Sequence, residues 1–252
     1  MAEIKNLNSQ TILNELDEFL SRKNYDGAEE FLLKTLSTAK NGNNFKTEIL
    51  CLNELMGLYR KLSRKEGAYS CTNKAIERIN ELKLDGQVGV ATTYLNCATV
   101  FKAFGEPQKA LKFYEKANAI YVNKLEPDNV QFAGLYNNMA LALVDLERFN
   151  EADTLYKKAI EILKKDPSGA LDTAITYLNM ASAAEAKFGL EKAESIISRY
   201  LTLAEDLLNN YPKRDGYYAF VCEKCATVFG YYGYFFFENE LKERAKVIYE
   251  RS

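Results

Sequence analysis

The chain has 252 residues, 47% of them hydrophobic and 27% charged, a balance too apolar for a disordered chain and too interrupted by charge for a membrane span. Its 33 basic and 35 acidic residues nearly cancel, so no charge excess points to nucleic acid. It contains no histidine, which removes the commonest general acid–base group and a leading zinc ligand; the expectation is a protein with no catalysis, no metal and no cofactor.

In chain order, the opening MAEIKNLNSQ carries charge where a secretory leader needs an apolar run, and five cysteines cannot all pair within one chain. Both features predict a reducing cytoplasm. The four prolines, Pro107, Pro127, Pro167 and Pro212, each stand just before or within the first turn of a segment with helical apolar periodicity. Gly27, Gly67, Gly105 and Gly189 read as turns within helix pairs, and Gly42, Gly86, Gly89, Gly169 and Gly216 as turns between pairs. The punctuation predicts about twelve helices with short connections and no strand.

The helices repeat. TTYLNCATVF from Thr92, GLYNNMALAL from Gly134 and ITYLNMASAA from Ile175 share an aromatic, an asparagine and a small alanine in register. Each precedes a second helix with its own alanine. Taking that alanine as ruler gives Ala28, Ala68, Ala110, Ala152, Ala193 and Ala245, spaced by 40, 42, 42, 41 and 52 residues, the last interval holding an insertion near Asn209–Gly216. The repeats then run approximately over 9–42, 43–87, 88–127, 128–168, 169–211 and 212–252 as one domain.

This pattern resembles the tetratricopeptide repeat family, and the spacing near 42 residues resembles the long repeats of kinesin light chains. The third repeat carries the resemblance in Tyr94, Cys97, Ala98, Phe101, Gly105, Ala110, Tyr114 and Ala117, and the fourth in Tyr136, Met139, Ala140, Leu143, Ala152, Tyr156 and Ala159. The subgroup's histidine before Pro127 is missing. The resemblance implies an all-α fold, a right-handed α-α superhelix of about six helix pairs. It also implies a solenoid that binds an extended peptide segment of a partner protein in its concave groove. An alternative is a bacterial peptide-responsive regulator acting on a separate effector protein, since repeats beginning by about Thr11 leave no room before them for an effector domain.

The groove face follows from helical geometry: at about 100° per residue, Asn96 lies far from the Tyr94, Cys97, Ala98 and Phe101 stripe. The same column reads Asn14, Glu54, Asn96, Asn138, Asn179 and Tyr231. With 21 asparagines in 252 residues, six slots should hold about half an asparagine, yet four do. In the resembling family this column contacts the main chain of a bound peptide; the other reading is an internal ladder bracing neighbouring repeats. Asn137, Thr99, Leu141, Asp145, Ser182, Lys61 and Lys102 complete the expected lining, mixed in charge and therefore suited to a neutral or mixed-charge peptide.

Two further features are weighed. Cys222 and Cys225 form the only CxxC, but with no second such pair they read as packing rather than a zinc site. Phe229, Tyr231, Tyr232, Tyr234, Phe235, Phe236 and Phe237 read as one helix apolar on every side, followed by a last helix over 239–250. A terminal repeat has no successor to cover such a helix, which predicts a homodimer through this aromatic C-terminal repeat.

Overall fold

A computed structural model describes residues 8–251; the charged opening segment and Ser252 lie outside the described residues. Among the described residues the regular elements are twelve α-helices in six antiparallel pairs. They cluster into two compact units, Met1–Lys124 and Leu125–Ser252. Unit 1 holds α1 (Ser9–Ser21) with α2 (Tyr25–Asn41), α3 (Phe45–Lys61) with α4 (Lys65–Glu81), and α5 (Val88–Ala103) with α6 (Pro107–Lys124). Unit 2 holds α7 (Gln131–Asp145) with α8 (Phe149–Leu163), α9 (Ala170–Phe188) with α10 (Leu190–Asn210), and α11 (Gly216–Tyr231) with α12 (Phe235–Tyr249).

Four of the helices start where a side chain satisfies a free N–H group. Asn8, Asn24, Asn44 and Asp215 each accept from the amide three residues on, at 2.9 to 3.2 Å. Gly27, Gly67, Gly89 and Gly216 fall inside first turns and not in the connections. At Gly67 the reason is packing, since a Cβ there would press on the Tyr59 ring.

Within each pair the chain reverses through a left-handed residue: Lys23, Ser63, Gly105, Glu147, Gly189 and Gly233, with φ between 55° and 86°. These stand 40, 42, 42, 42 and 44 residues apart, a more even ruler than the alanines. They correct the last repeat. Five residues beyond the turn lie Ala28, Ala68, Ala110 and Ala152, with Ala193 four beyond its shorter turn, all 0 to 1% exposed. In the sixth pair that seat belongs to Glu238, and Ala245 belongs two helical turns later, with Ala75, Ala117 and Ala159. The carboxylate fits because Gly230 faces it: a Cβ at Gly230 would collide with the Glu238 side chain.

The same turn corrects the aromatic run. It is two helices, not one, because Gly233 (φ 86°) breaks the chain after Tyr231 and α12 begins at Phe235. The break sends Phe229 and Phe237 inward, where their rings meet edge-on at 4.7 Å, while Tyr231, Phe235 and Phe236 stay exposed.

Each unit buries its own core. Unit 1 packs Leu52, Leu55 and Met56 of α3 against Ala68 and Ala75 of α4, all fully buried. Unit 2 has a continuous apolar cluster running from Leu171 through Leu201 to Ala245. Cys222 and Cys225 are part of it; burial raises their thiols to about 11 and about 12, as expected for packing residues. Among the described residues no group of histidine, cysteine, aspartate or glutamate could hold a metal ion.

Candidate functional site: the first-helix faces

Counting nine residues back from the left-handed turns gives Asn14, Glu54, Asn96, Asn138 and, in the sixth pair, Lys224; Asn179 stands ten back because α9 closes on a shorter turn. Tyr231 thus leaves the column. It lies two helical turns further along the same face of α11, because the misplaced Ala245 shifted the whole last repeat by seven residues.

In unit 1 the column has three different neighbourhoods. Asn14 is exposed and accepts from Gln10 within α1 at 2.8 Å. Glu54 is half-buried, and burial, reinforced by Asp17, holds its carboxyl above the usual range. Asn96 is half-buried on α5, and one turn before it Thr93 Oγ1 accepts from Asn53 at 3.1 Å, which ties α3 to α5. Thr99 donates to the Leu95 carbonyl and reaches the Tyr114 hydroxyl at 3.2 Å. Lys61 lies over the Tyr25 ring at 5.1 Å, and Lys102 is half-buried on α5.

In unit 2 the amides divide their labour. Asn179 of α9 donates to Asn137 of α7 at 3.1 Å, a rung between successive pairs. Asn138 donates to the Gly134 carbonyl of its own helix at 2.9 Å, keeping its Oδ1 unspent among the described residues. Two bonds between successive pairs therefore brace the repeats, one in each unit, through Asn53 and Asn137, one position before the column. Asn179 joins from the column itself, while Asn138 spends its NH2 group within α7. Leu141 is half-buried, Asp145 and Ser182 are exposed, and Ser182 donates to the Leu178 carbonyl at 3.3 Å.

Sequence reasoning missed the face of α11. With the register corrected, Tyr217, Phe220, Lys224, Thr227 and Tyr231 share one helix face, and all five are exposed. Tyr217 and Phe220 stack with centroids 6.3 Å apart. Tyr217 donates to Asp172 and Tyr231 to Glu185, each at 2.7 Å, so both rings are fixed against α9. These bonds also hold the two phenols protonated: burial, then Asp172, pushes the Tyr217 hydroxyl up, and the bond to Glu185 does the same for Tyr231. The positive-φ Gly233 was the sequence signal that could have placed them. Unit 2 thus presents unspent amide groups on α7 and α9 beside fixed aromatic rings on α11. That arrangement can hold a peptide main chain and grip a side chain.

Residues 131–206 match the family model described as Tetratricopeptide repeat. Among solved structures, BtubC (BKLC) from P. vanneervenii is similar at 20% identity with a TM-score of 0.67, covering 81% of this chain and 82% of that one. The nearly identical TPR-like repeats of a Podosopora anserina protein assigned as a kinesin light chain are similar at 16% identity and a TM-score of 0.51, over 78% and 92% of the two chains. MamA is similar at 18% identity and a TM-score of 0.51, over 84% and 98%. At these identities the likenesses speak for the fold alone. No curated protein sequence matches the chain.

Proposed function

We propose that the chain, whose residues 131–206 match the tetratricopeptide-repeat model, is a non-catalytic module whose first-helix face in unit 2 binds an extended segment of a partner protein. The observation that carries this reading is the unspent Oδ1 of Asn138, on the same face as the exposed Tyr217–Phe220 stack. An amide offers two donors and an acceptor to any main chain, so Asn138 and Asn179 would hold the backbone of the segment whatever its sequence. The rings beside them would select an apolar side chain, while Lys224 and Asp145 supply opposite charges within the same unit. In unit 1, Asn14, Asn96, Thr99, Lys61 and Lys102 would serve the same role more weakly, since no exposed aromatic stack accompanies them.

A cytoplasmic setting is supported by five free cysteines, all buried and none paired. No helix among the described residues is long and apolar enough to cross a membrane. The aromatic turn of the sixth pair, with Phe236 97% exposed, supports self-association as a homodimer.

The test is a peptide array probed with the full chain and with an Asn138→Ala/Asn179→Ala/Phe220→Ala variant. The expected result is a set of extended, apolar-anchored peptides held by the wild type, with each lost hydrogen bond weakening binding by about 0.5–1.5 kcal/mol. Equal binding by the variant would remove the face from consideration.

A further inference from the structure

Six pairs laid on their turns make every position an internal comparison. Three residues after the buried alanines Ala98, Ala140 and Ala226 stand Phe101, Leu143 and Phe229, all buried. In the fifth pair Ala181 is followed at that distance by Ala184, itself 8% exposed. Where the other pairs have a large side chain, unit 2 has a cavity of about 250 Å³ between α8, α9 and α10.

The third pair shows what belongs there. Phe101 stacks on Phe113 at 5.4 Å and tilts against Tyr69 at 5.5 Å. Counted from the small alanines of the second helices, the fifth-pair counterparts of these two neighbours are Ile196 and Asp153, and both line the cavity. Tyr156 and Tyr200 line it too, and Phe188 stands at its wall, 45% exposed. The cavity is thus the vacated seat of a phenylalanine or leucine. Its volume suffices for a ring, given that ~150 Å³ accommodates benzene.

The same unit carries the missing ring. Phe236, in the first turn of α12, is 97% exposed, with Phe235 and Tyr231 exposed beside it. Tyr231 and Tyr232 both donate to Glu185, the residue after Ala184, at 2.7 and 2.8 Å. The aromatic turn therefore sits next to the cavity on one edge of unit 2, while Phe236 itself is too exposed to fill the cavity of its own chain. A projection and a recess side by side on one edge are what a two-fold axis needs to make two identical contacts and close the assembly.

We propose that Phe236 of a second copy of this chain occupies the cavity over Ala184, in a reciprocal two-fold dimer. This rests on the self-association read above and gives it a contact. Sedimentation equilibrium at tens of micromolar should show a dimer for the wild type. Ala184→Phe or Ala184→Leu, which fills the seat from within, and Phe236→Ser, which removes the ring, should each raise the dimer dissociation constant about tenfold or more with melting unchanged or raised. An equimolar mixture of Ala184→Phe and Phe236→Ser chains should regain association, because one supplies the ring and the other the recess. A wild-type dimer indifferent to all three substitutions would overturn this contact and leave self-association through another surface; a strictly monomeric wild type would overturn both.

Discussion

Tyr114 and Tyr156 occupy the same seat in successive pairs, each 1% exposed, but only one of them has its hydroxyl satisfied. Tyr114 meets Thr99 Oγ1 at 3.2 Å, whereas the counterpart of Thr99 in the fourth pair is Leu141, and the Tyr156 hydroxyl has no hydrogen-bond partner among the described residues. An unpaired buried hydroxyl costs about 1–3 kcal/mol, while a paired one contributes about 0.5–1.5 kcal/mol. The same substitution should therefore have opposite signs at the two seats. Tyr156→Phe should stabilise by about 1 kcal/mol, and Tyr114→Phe should destabilise by about 1 kcal/mol. For a chain of this length each kcal/mol moves the melting temperature by about 2–4 °C, so the two variants should straddle the wild type by several degrees. Urea unfolding followed by far-ultraviolet circular dichroism, with equal slopes, is the assay. Losing as much stability at Tyr156 as at Tyr114 would mean that the Tyr156 hydroxyl is paired, by ordered water if nothing else, and would refute the reasoning.

Gly230→Ala makes the flexible end of Glu238 swing aside and should leave stability within about 1 kcal/mol of the wild type, because alanine gains about 1 kcal/mol over glycine within a helix; adding Glu238→Ala removes the clash and should raise stability above the Gly230→Ala variant, and no such gain would refute the pairing. The buried thiols give a pH dependence with a definite sign. Cys222 and Cys225 are raised to about 11 and about 12, above their values in the unfolded chain, so folding holds them protonated. Ionisation then favours the unfolded chain from about pH 8.5 upward, and stability should fall through that range, an effect that Cys222→Ser/Cys225→Ala should blunt in alkaline urea titrations.

The fold was legible because its signals are redundant. Tyr94, Ala98, Phe101 and Ala110 in one repeat, with Tyr136, Ala140, Leu143 and Ala152 in the next, state the same packing twice, so either set suffices to name the helix pair. The last repeat lacked that redundancy. Glu238 stands where alanine was sought, and the next alanine, Ala245, lies seven residues on; two helical turns preserve the face, so the shifted register still looked periodic. That one shift hid Lys224 and the Tyr217–Phe220 stack and put Tyr231 in their place. The amide rungs were hidden for another reason: hydrogen bonds such as Asn179 to Asn137 join residues 42 positions apart, and helical periodicity shows which face an amide takes, not which neighbour it bonds.

The repeat also supplies its own controls, and these separate packing from use. Where every pair keeps a residue, packing explains it: the second-helix alanines are buried in five pairs, and the sixth offsets its glutamate with Gly230. Where one pair departs and nothing inside the chain compensates, local consistency has been given up, and in folded proteins such places concentrate at functional surfaces. Ala184 is such a departure, since its vacated volume remains open, and so is Leu141, which leaves the Tyr156 hydroxyl unpaired. Both lie in unit 2, the unit that also exposes Tyr217, Phe220 and Phe236. Exposed aromatics gathered in the unit whose fifth pair leaves a seat open are what selection for contact with another chain would produce, because a partner can supply the volume that the fold itself leaves empty.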